Sequence, residues 1–185
     1  MGLLQSSLPQ KVLLSSFSTV KCFMDYLYDE VFTKDFINFR PCFANIRLGL
    51  KFHPIKNNRA YTFEHMTSSG PENLRNFERL RSERLPWCAY TINNVEKLNL
   101  KFWVQKRKGE YRICIWLNVD DDFDYFVILS VRKGFILPWT AFVANYKNTV
   151  EKKQKEYEEW RKRWGDRPCT PRDIVNEIFK KYNNS

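Results

Sequence analysis

The chain has 185 residues, 43% of them hydrophobic and 16% aromatic, with a formal charge of +10. That length supports one domain with a buried core, and no run approaches the ~20 apolar residues needed to span a bilayer. The positive charge favours polyanionic partners, nucleic acid before an anionic membrane surface; a basic protein without such a partner is the plain alternative.

Cys22, Cys42, Cys88, Cys114 and Cys169 show no Cys-x-x-Cys spacing. Their odd count argues against a disulfide framework, so a reducing cytoplasm is expected. Neither histidine lies near a cysteine cluster, so no metal is expected. No glycine-rich phosphate loop, serine nucleophile motif or dinucleotide fingerprint occurs, and no cofactor is expected.

The first residues lack the basic n-region and cleavage site of a signal peptide. Gly2 followed by Ser6 fits the myristoylation pattern. Residues 10–35 predict a helix, with Leu13, Phe17, Val20, Met24, Leu27 and Val31 recurring at threes and fours. From Phe36 to Phe63 there is no acidic residue. Within that stretch "NIRLGLKFH" alternates as a strand, placing Arg47 and Lys51 on the face opposite Ile46, Leu48, Leu50 and Phe52. That basic face suits phosphates or is merely solvated.

A helix is predicted next, capped by Ser69 or Gly70, with Pro71 and Glu72 in its first turn and Pro86 as its end. On a helical wheel Leu74, Phe77, Leu80 and Leu85 share one arc with Arg81 and Arg84, while Arg75 and Arg79 point away. An unpaired buried charge is costly. The two arginines therefore either bridge to Glu83 or another carboxylate, or line a cleft open to an anion. His65 just ahead of them is the natural acid–base group near neutral pH; a structural histidine at a strand end is the alternative.

Four strand-like runs follow, "LNLKFWVQ", "EYRICIWLN", "DYFVILSV" and "GFILPWTAFV", joined by the glycine turns "KRKGE" and "RKG". In this order they predict an antiparallel meander, with Pro138 marking an edge or a bulge. The aspartates Asp120, Asp121, Asp122 and Asp124 lack EF-hand spacing and read as an acidic turn. Two helices close the chain. One covers about 148–164, docked by Trp160 and Trp164 and stopped by Gly165; the other is capped by Thr170 with Asp173 three residues on.

Taken together, "HMTSSG…NFERLRSERLPW", "YRICIWL" and "DYFVILSVRKGFILPWTAFVANY…KEYEEW" resemble the phage and toxin branch of the barnase–EndoU–colicin–RelE-like (BECR) ribonucleases. The positions that carry the resemblance are His65, Thr67, Arg81, Glu83, Arg84, Trp87, Trp116, Thr140, Ala141 and Phe142, within residues 62–162. It implies a metal-independent endoribonuclease that cleaves RNA by 2′-hydroxyl attack. His65, Thr67, Arg81, Arg84 and Thr140 would be catalytic, Arg47, Lys51 and Arg112 RNA-binding, and Glu83, Trp87 and Trp116 supporting.

The implied partners are RNA (tRNA, mRNA or rRNA) and an antitoxin protein. The alternatives are a non-catalytic RNA- or DNA-binding module, or a basic protein that meets an acidic partner. The expected fold is α+β: N-terminal helices on a four-stranded antiparallel meander, with C-terminal helices. Residues 1–60 form a helical and basic extension, 61–165 the ribonuclease-like core and 166–185 the last helix, all in one compact domain. The helix that holds Arg81 and Arg84 is expected to pack on the sheet through Leu74, Phe77 and Leu80, so that both arginines border a phosphate site.

Overall fold

A computed structural model describes residues 8–119, 123–167 and 169–184. The Gly2 pattern and the aspartates at 120–122 lie outside these residues. The helix expected over 10–35 starts later and changes pitch. A 3₁₀ turn at Leu14–Ser16 precedes α1 (Val20–Tyr26), whose cap Thr19 accepts from the Cys22 amide at 3.1 Å. The chain then runs on as a π-helical segment, Leu27–Asn38. Its wider turn lines up Tyr28, Phe32 and Phe36 as a stack, with ring centroids 5.5 and 5.2 Å apart.

The strand expected in "NIRLGLKFH" shrinks to a two-residue hairpin, β1 (Cys42–Phe43) with β2 (Ile46–Arg47). Ala44 and Asn45 both take positive φ, as a tight hairpin turn demands. Beyond Arg47 the backbone groups go to separate partners. Leu48 N donates to Pro41 O, Gly49 N to Ile136 O, and Lys51 N to Thr62 Oγ1. No ladder forms, and Lys51 lies outside any strand.

The single helix expected from Gly70 to Pro86 does not form, and the chain from Tyr61 to Asn93 holds five short elements. These are α2 (Tyr61–Thr67), β3 (Ser68–Ser69), β4 (Asn76–Phe77), α3 (Arg79–Glu83) and α4 (Leu85–Asn93). Ser68 and Ser69 pair with Phe77 and Asn76, which closes a hairpin. Gly70 makes that hairpin close: its φ is +105°, and a Cβ there would sit 2.7 Å from Leu74 O. Glu78 then caps α3, accepting from the Leu80 and Arg81 amides. Pro86 starts α4 rather than ending a helix. In consequence Leu74 and Phe77 do not pack on the sheet; they are 64% and 38% exposed.

The meander forms as expected. β5 (Lys101–Arg107), β6 (Glu110–Val119), β7 (Phe123–Arg132) and β8 (Phe135–Ala144) pair antiparallel in chain order. One face carries Ile113, Ile115, Leu117, Tyr125 and Val127, all wholly buried, and packs on α4 through Trp87 against Tyr125. The opposite face carries Trp103, Cys114, Trp116 and Phe126. α5 (Lys147–Trp164) covers its β5 side, with Tyr157 edge-on to Trp103. Pro138 marks a bulge, as expected. Ile128 faces Thr140 but Leu129 faces Pro138, so Trp139 is the unpaired extra residue.

Gly165 ends α5, and Trp160 and Trp164 are both buried. α6 (Pro171–Asn183) has the Thr170–Asp173 capping box. The hydrophobic core runs unbroken from Phe23 to Ile178. All five cysteines are free, and no described helix is long and apolar enough to cross a membrane.

Candidate functional site

α2 lies against the edge strand β8, and the bulge in β8 turns Trp139 toward it. His65, in the last turn of α2, is buried between two rings, with Tyr61 and Trp139 centroids each 4.6 Å away. Each of those rings also carries a cation. Lys51 Nζ is 3.7 Å from the Tyr61 centroid, and the Arg112 guanidinium is 4.9 Å from that of Trp139. The result is a column, Lys51–Tyr61–His65–Trp139–Arg112. It holds the imidazole by two tilted ring contacts, through side chains far apart in sequence.

One edge of the imidazole is hydrogen-bonded to the hairpin turn, with His65 Nε2 3.0 Å from Glu72 Oε2. Burial pulls the His65 pKa below its ordinary value, and the Glu72 contact only partly opposes this. Glu72 itself is 61% exposed at its side chain. Partial burial pushes its carboxyl up, but hydrogen bonds with His65 and Tyr61 outweigh that, and its pKa is lowered. Burial and the Glu72 carboxylate push the Tyr61 phenol up to about 12. At neutral pH the pair is therefore a neutral imidazole beside an ionised, accessible carboxylate.

Two guanidinium groups meet beside this pair. Arg75 Nη2 and Arg81 Nη1 donate to the same oxygen, Ser68 O, at 2.7 and 3.0 Å. Arg75 also donates to Ser68 Oγ, Gly70 O and His65 O, and so ties the hairpin to the α2 backbone. Arg81 Nη1 donates to Thr140 Oγ1 at 3.0 Å, one residue from Trp139, and the Arg81 guanidinium lies 5.8 Å from the Phe142 ring. A guanidinium has five N–H donors. Arg75 makes four hydrogen bonds and keeps one N–H. Arg81 commits only its Nη1 to hydrogen bonds and keeps the two N–H of Nη2 for an anion. Ion pairs are made by Glu78, 3.5 Å from Arg81, and by Glu110, 3.7 Å from Arg112.

The structure thus brings together His65, Arg81, Thr140, Lys51 and Arg112 among the residues named from sequence, and it moves the others elsewhere. Thr67 is wholly buried and its hydroxyl donates back to Phe63 O, so that hydroxyl is taken up within α2. Arg84 turns to the opposite side of the sheet, beside the stacked rings of Trp87 and Phe123 at 5.2 and 5.3 Å, with one bond to Leu80 O. It does not pair with Glu83, which accepts from Arg79 at 2.8 Å and from the Leu14 amide at 3.1 Å. Arg47 is exposed on the β1–β2 hairpin. Glu83 and Trp87 contact the N-terminal segment rather than the His65 site: Trp87 Nε1 donates to Pro9 O, and Glu83 O accepts from Val12 N. Trp116 donates to Asp124 Oδ1 at 2.6 Å.

Sequence reasoning missed Glu72, Arg75, Tyr61 and Trp139. Glu72 and Arg75 were assigned to a helix that does not form, and nothing in the wheel pattern could have aimed them at His65. The Pro138 bulge was the usable signal for Trp139, since an extra residue re-aims a side chain. Among the described residues, no three histidine, cysteine, aspartate or glutamate side chains are grouped to hold a metal ion. No family model, curated protein or solved structure matches the chain.

Proposed function

We propose that this protein is an endoribonuclease of metal-independent type, in which the His65–Glu72 pair moves protons and the arginines beside it hold the phosphate. The observation that carries the reading is the pairing of an accessible carboxylate with a fixed imidazole, next to Arg75 and Arg81 converging on Ser68 O. The order of motifs that resembles the BECR ribonucleases adds to it.

In the reacting form His65 is an imidazolium and Glu72 a carboxylate. Glu72 accepts the proton of the RNA 2′-hydroxyl as that oxygen bonds to phosphorus, and His65 Nε2 gives a proton to the departing 5′-oxygen. The pair ends as neutral imidazole and carboxylic acid, and one proton transfer between them restores it. Arg75 and Arg81 offset the charge that grows on the phosphorane oxygens, the electrostatic role that usually contributes most. Thr140 Oγ1 holds Arg81 in place.

The tight enclosure of His65, with Nε2 engaged, favours a second reading, a phosphate-binding surface that does not cut. One experiment separates the two. Purified protein is incubated with RNA in EDTA, beside His65→Ala, Glu72→Gln and an RNA carrying a single 2′-deoxy at the cut site. Cleavage by the wild type alone, and only of the ribo strand, is expected. Binding without cleavage leaves the second reading, and equal cutting of DNA removes the mechanism. A basic protein recognising an acidic antitoxin is the remaining alternative; it requires partner affinity that survives Arg81→Ala in a protein with no affinity for RNA.

A further inference from the structure

Three basic clusters that are distant in sequence meet at one end of the sheet. The β5–β6 turn supplies Lys106, Arg107 and Lys108, the end of α5 supplies Arg161, Lys162 and Arg163 with Arg167 just beyond, and the last turn of α6 supplies Lys180 and Lys181. Between them runs a groove of about 420 Å³, lined by Lys106, Tyr111, Arg163, Trp164, Arg167 and Lys181 among others. Lys106 and Lys181 lie 5.3 and 5.9 Å from the Tyr111 ring, and Arg167 3.7 Å from that of Trp164. The lining holds four cations and one carboxylate, Glu177, which Arg167 and Lys181 share at 2.9 and 2.5 Å.

Basic residues at helix C-termini first answer the helix dipole. Arg167 does so directly, donating to Trp164 O at 3.2 Å. The concentration of charge goes well beyond that need, and Lys106, Arg163, Arg167 and Lys181 are all exposed. Aromatic rings flanked by exposed cations suit a nucleic acid strand better than a compact acidic protein surface, because the charge is spread along a groove.

The groove is also connected to the His65 site. Tyr111 and Arg112 are neighbours in β6, and alternation sends them to opposite faces: Tyr111 to the groove, Arg112 to the ring of Trp139. From the same sheet end the β7–β8 turn adds the exposed Lys133. We infer that this groove is a second anchoring surface for the RNA backbone, holding a strand that passes round the sheet end from the His65 site. The inference rests on the RNA reading of that site for its direction, but its test needs no cleavage.

The probe is a fluorescent single strand of about 20 nucleotides with 2′-O-methyl groups throughout, which cannot react by 2′-hydroxyl attack; its affinity is followed by anisotropy across a salt series. The variant Lys106→Gln/Arg163→Gln/Lys181→Gln is expected to bind ~10-fold or more weakly at low salt, with the log–log salt slope shallower by about 2, from ~0.7 per lost contact. The control Lys147→Gln/Lys152→Gln/Lys155→Gln removes the same charge from exposed positions on α5 and is expected to change the slope far less. An unchanged slope in the groove variant, with an unchanged circular dichroism spectrum, overturns the proposal. So does an equal loss in the control, which reduces the effect to net charge. Loss of binding to phosphatidylserine vesicles with the RNA slope intact gives the groove to a membrane instead. If the wild type binds the strand with the expected slope but cuts no RNA, the catalytic reading fails and the anchoring surface stands.

Discussion

Arg81 and Arg84 sit three residues apart in different surroundings, and substituting each tests the division of roles that follows from the proposed function. Arg84 is 8% exposed, with two aromatic rings near 5 Å, one carbonyl partner, and an Nε that has no partner. Removing it in Arg84→Ala loses about 1 kcal/mol for each ring contact and about 1.5–3 kcal/mol for the charged hydrogen bond. Relief of the unpartnered Nε returns about 1 kcal/mol. The net loss is about 3 kcal/mol, which for a chain of this size lowers Tm by roughly 6–12 °C. Arg84→Met, which keeps the stem packed, is expected to lose about half as much. Cleavage by the folded fraction is expected to stay within about twofold, since nothing places Arg84 at the phosphate. Arg81→Gln should behave in the reverse manner, slowing cleavage ~100-fold, the scale of losing one preorganised donor, with a loss of stability of about 1 kcal/mol. Melts followed by circular dichroism, run beside cleavage rates below the transition, give both quantities. An Arg84→Ala protein that melts within about 2 °C of the wild type, or that folds but has lost cleavage, would refute this division of roles.

Glu72→Gln should cost ~100-fold or more in cleavage rate while leaving the melting curve nearly unmoved, because the carboxylate is on the surface. In the proposed mechanism cleavage requires imidazolium and carboxylate together, and both pKa values are lowered from 6.5 and 4.5. The pH–rate profile should therefore peak on the acid side of 6.5 and fall toward neutrality, as a pH-stat series on one RNA will show. Stability carries a separate signature. The folded His65 has the lower pKa, so the unfolded chain takes up more protons as pH falls through about 6.5, and stability drops from that point toward the folded pKa. His65→Gln should flatten this stretch of a denaturant-midpoint series. Lys51→Ala should make the salt slope of RNA binding shallower by about 0.7, whereas Arg47→Ala, on a hairpin away from the column, should leave it unchanged.

The sheet and the C-terminal helices were legible because each obeys a single local rule. Period-two alternation with glycine turns defines β5 to β8, and the Thr170–Asp173 pair announces α6 through two hydrogen bonds made within one turn. The region from Ser68 to Leu85 was not legible. A wheel drawn over Leu74, Phe77 and Leu80 assumes continuous helix, but Ser68 and Ser69 find strand partners in Phe77 and Asn76, and Gly70 permits the turn between them. That error reached the site. Arg75, placed on the solvent side by the wheel, instead makes four hydrogen bonds to residues of α2 and the hairpin. Arg84 was misplaced for a related reason, since the break at α3–α4 rotates it away from Arg81. Of the positions marked by the resemblance, Arg81 and Thr140 are hydrogen-bonded beside the segment that holds His65, whereas Thr67 and Arg84 lie apart from it.

The bulge in β8 also bears on how copies of this chain behave toward one another. Ile136 O points away from β7, where it accepts from Gly49 N, and by alternation the backbone nitrogen of Pro138 points the same way. That nitrogen has no hydrogen, and the extra residue at Trp139 puts the following stretch out of step. A visiting strand therefore meets one carbonyl already taken, one missing donor and a break in register, the devices that keep open sheet borders from zipping together. The bulge that turns Trp139 toward His65 thus also helps make this border a poor template for aggregation, so Pro138→Val should raise the tendency to form sheet-like assemblies as well as disturb Trp139.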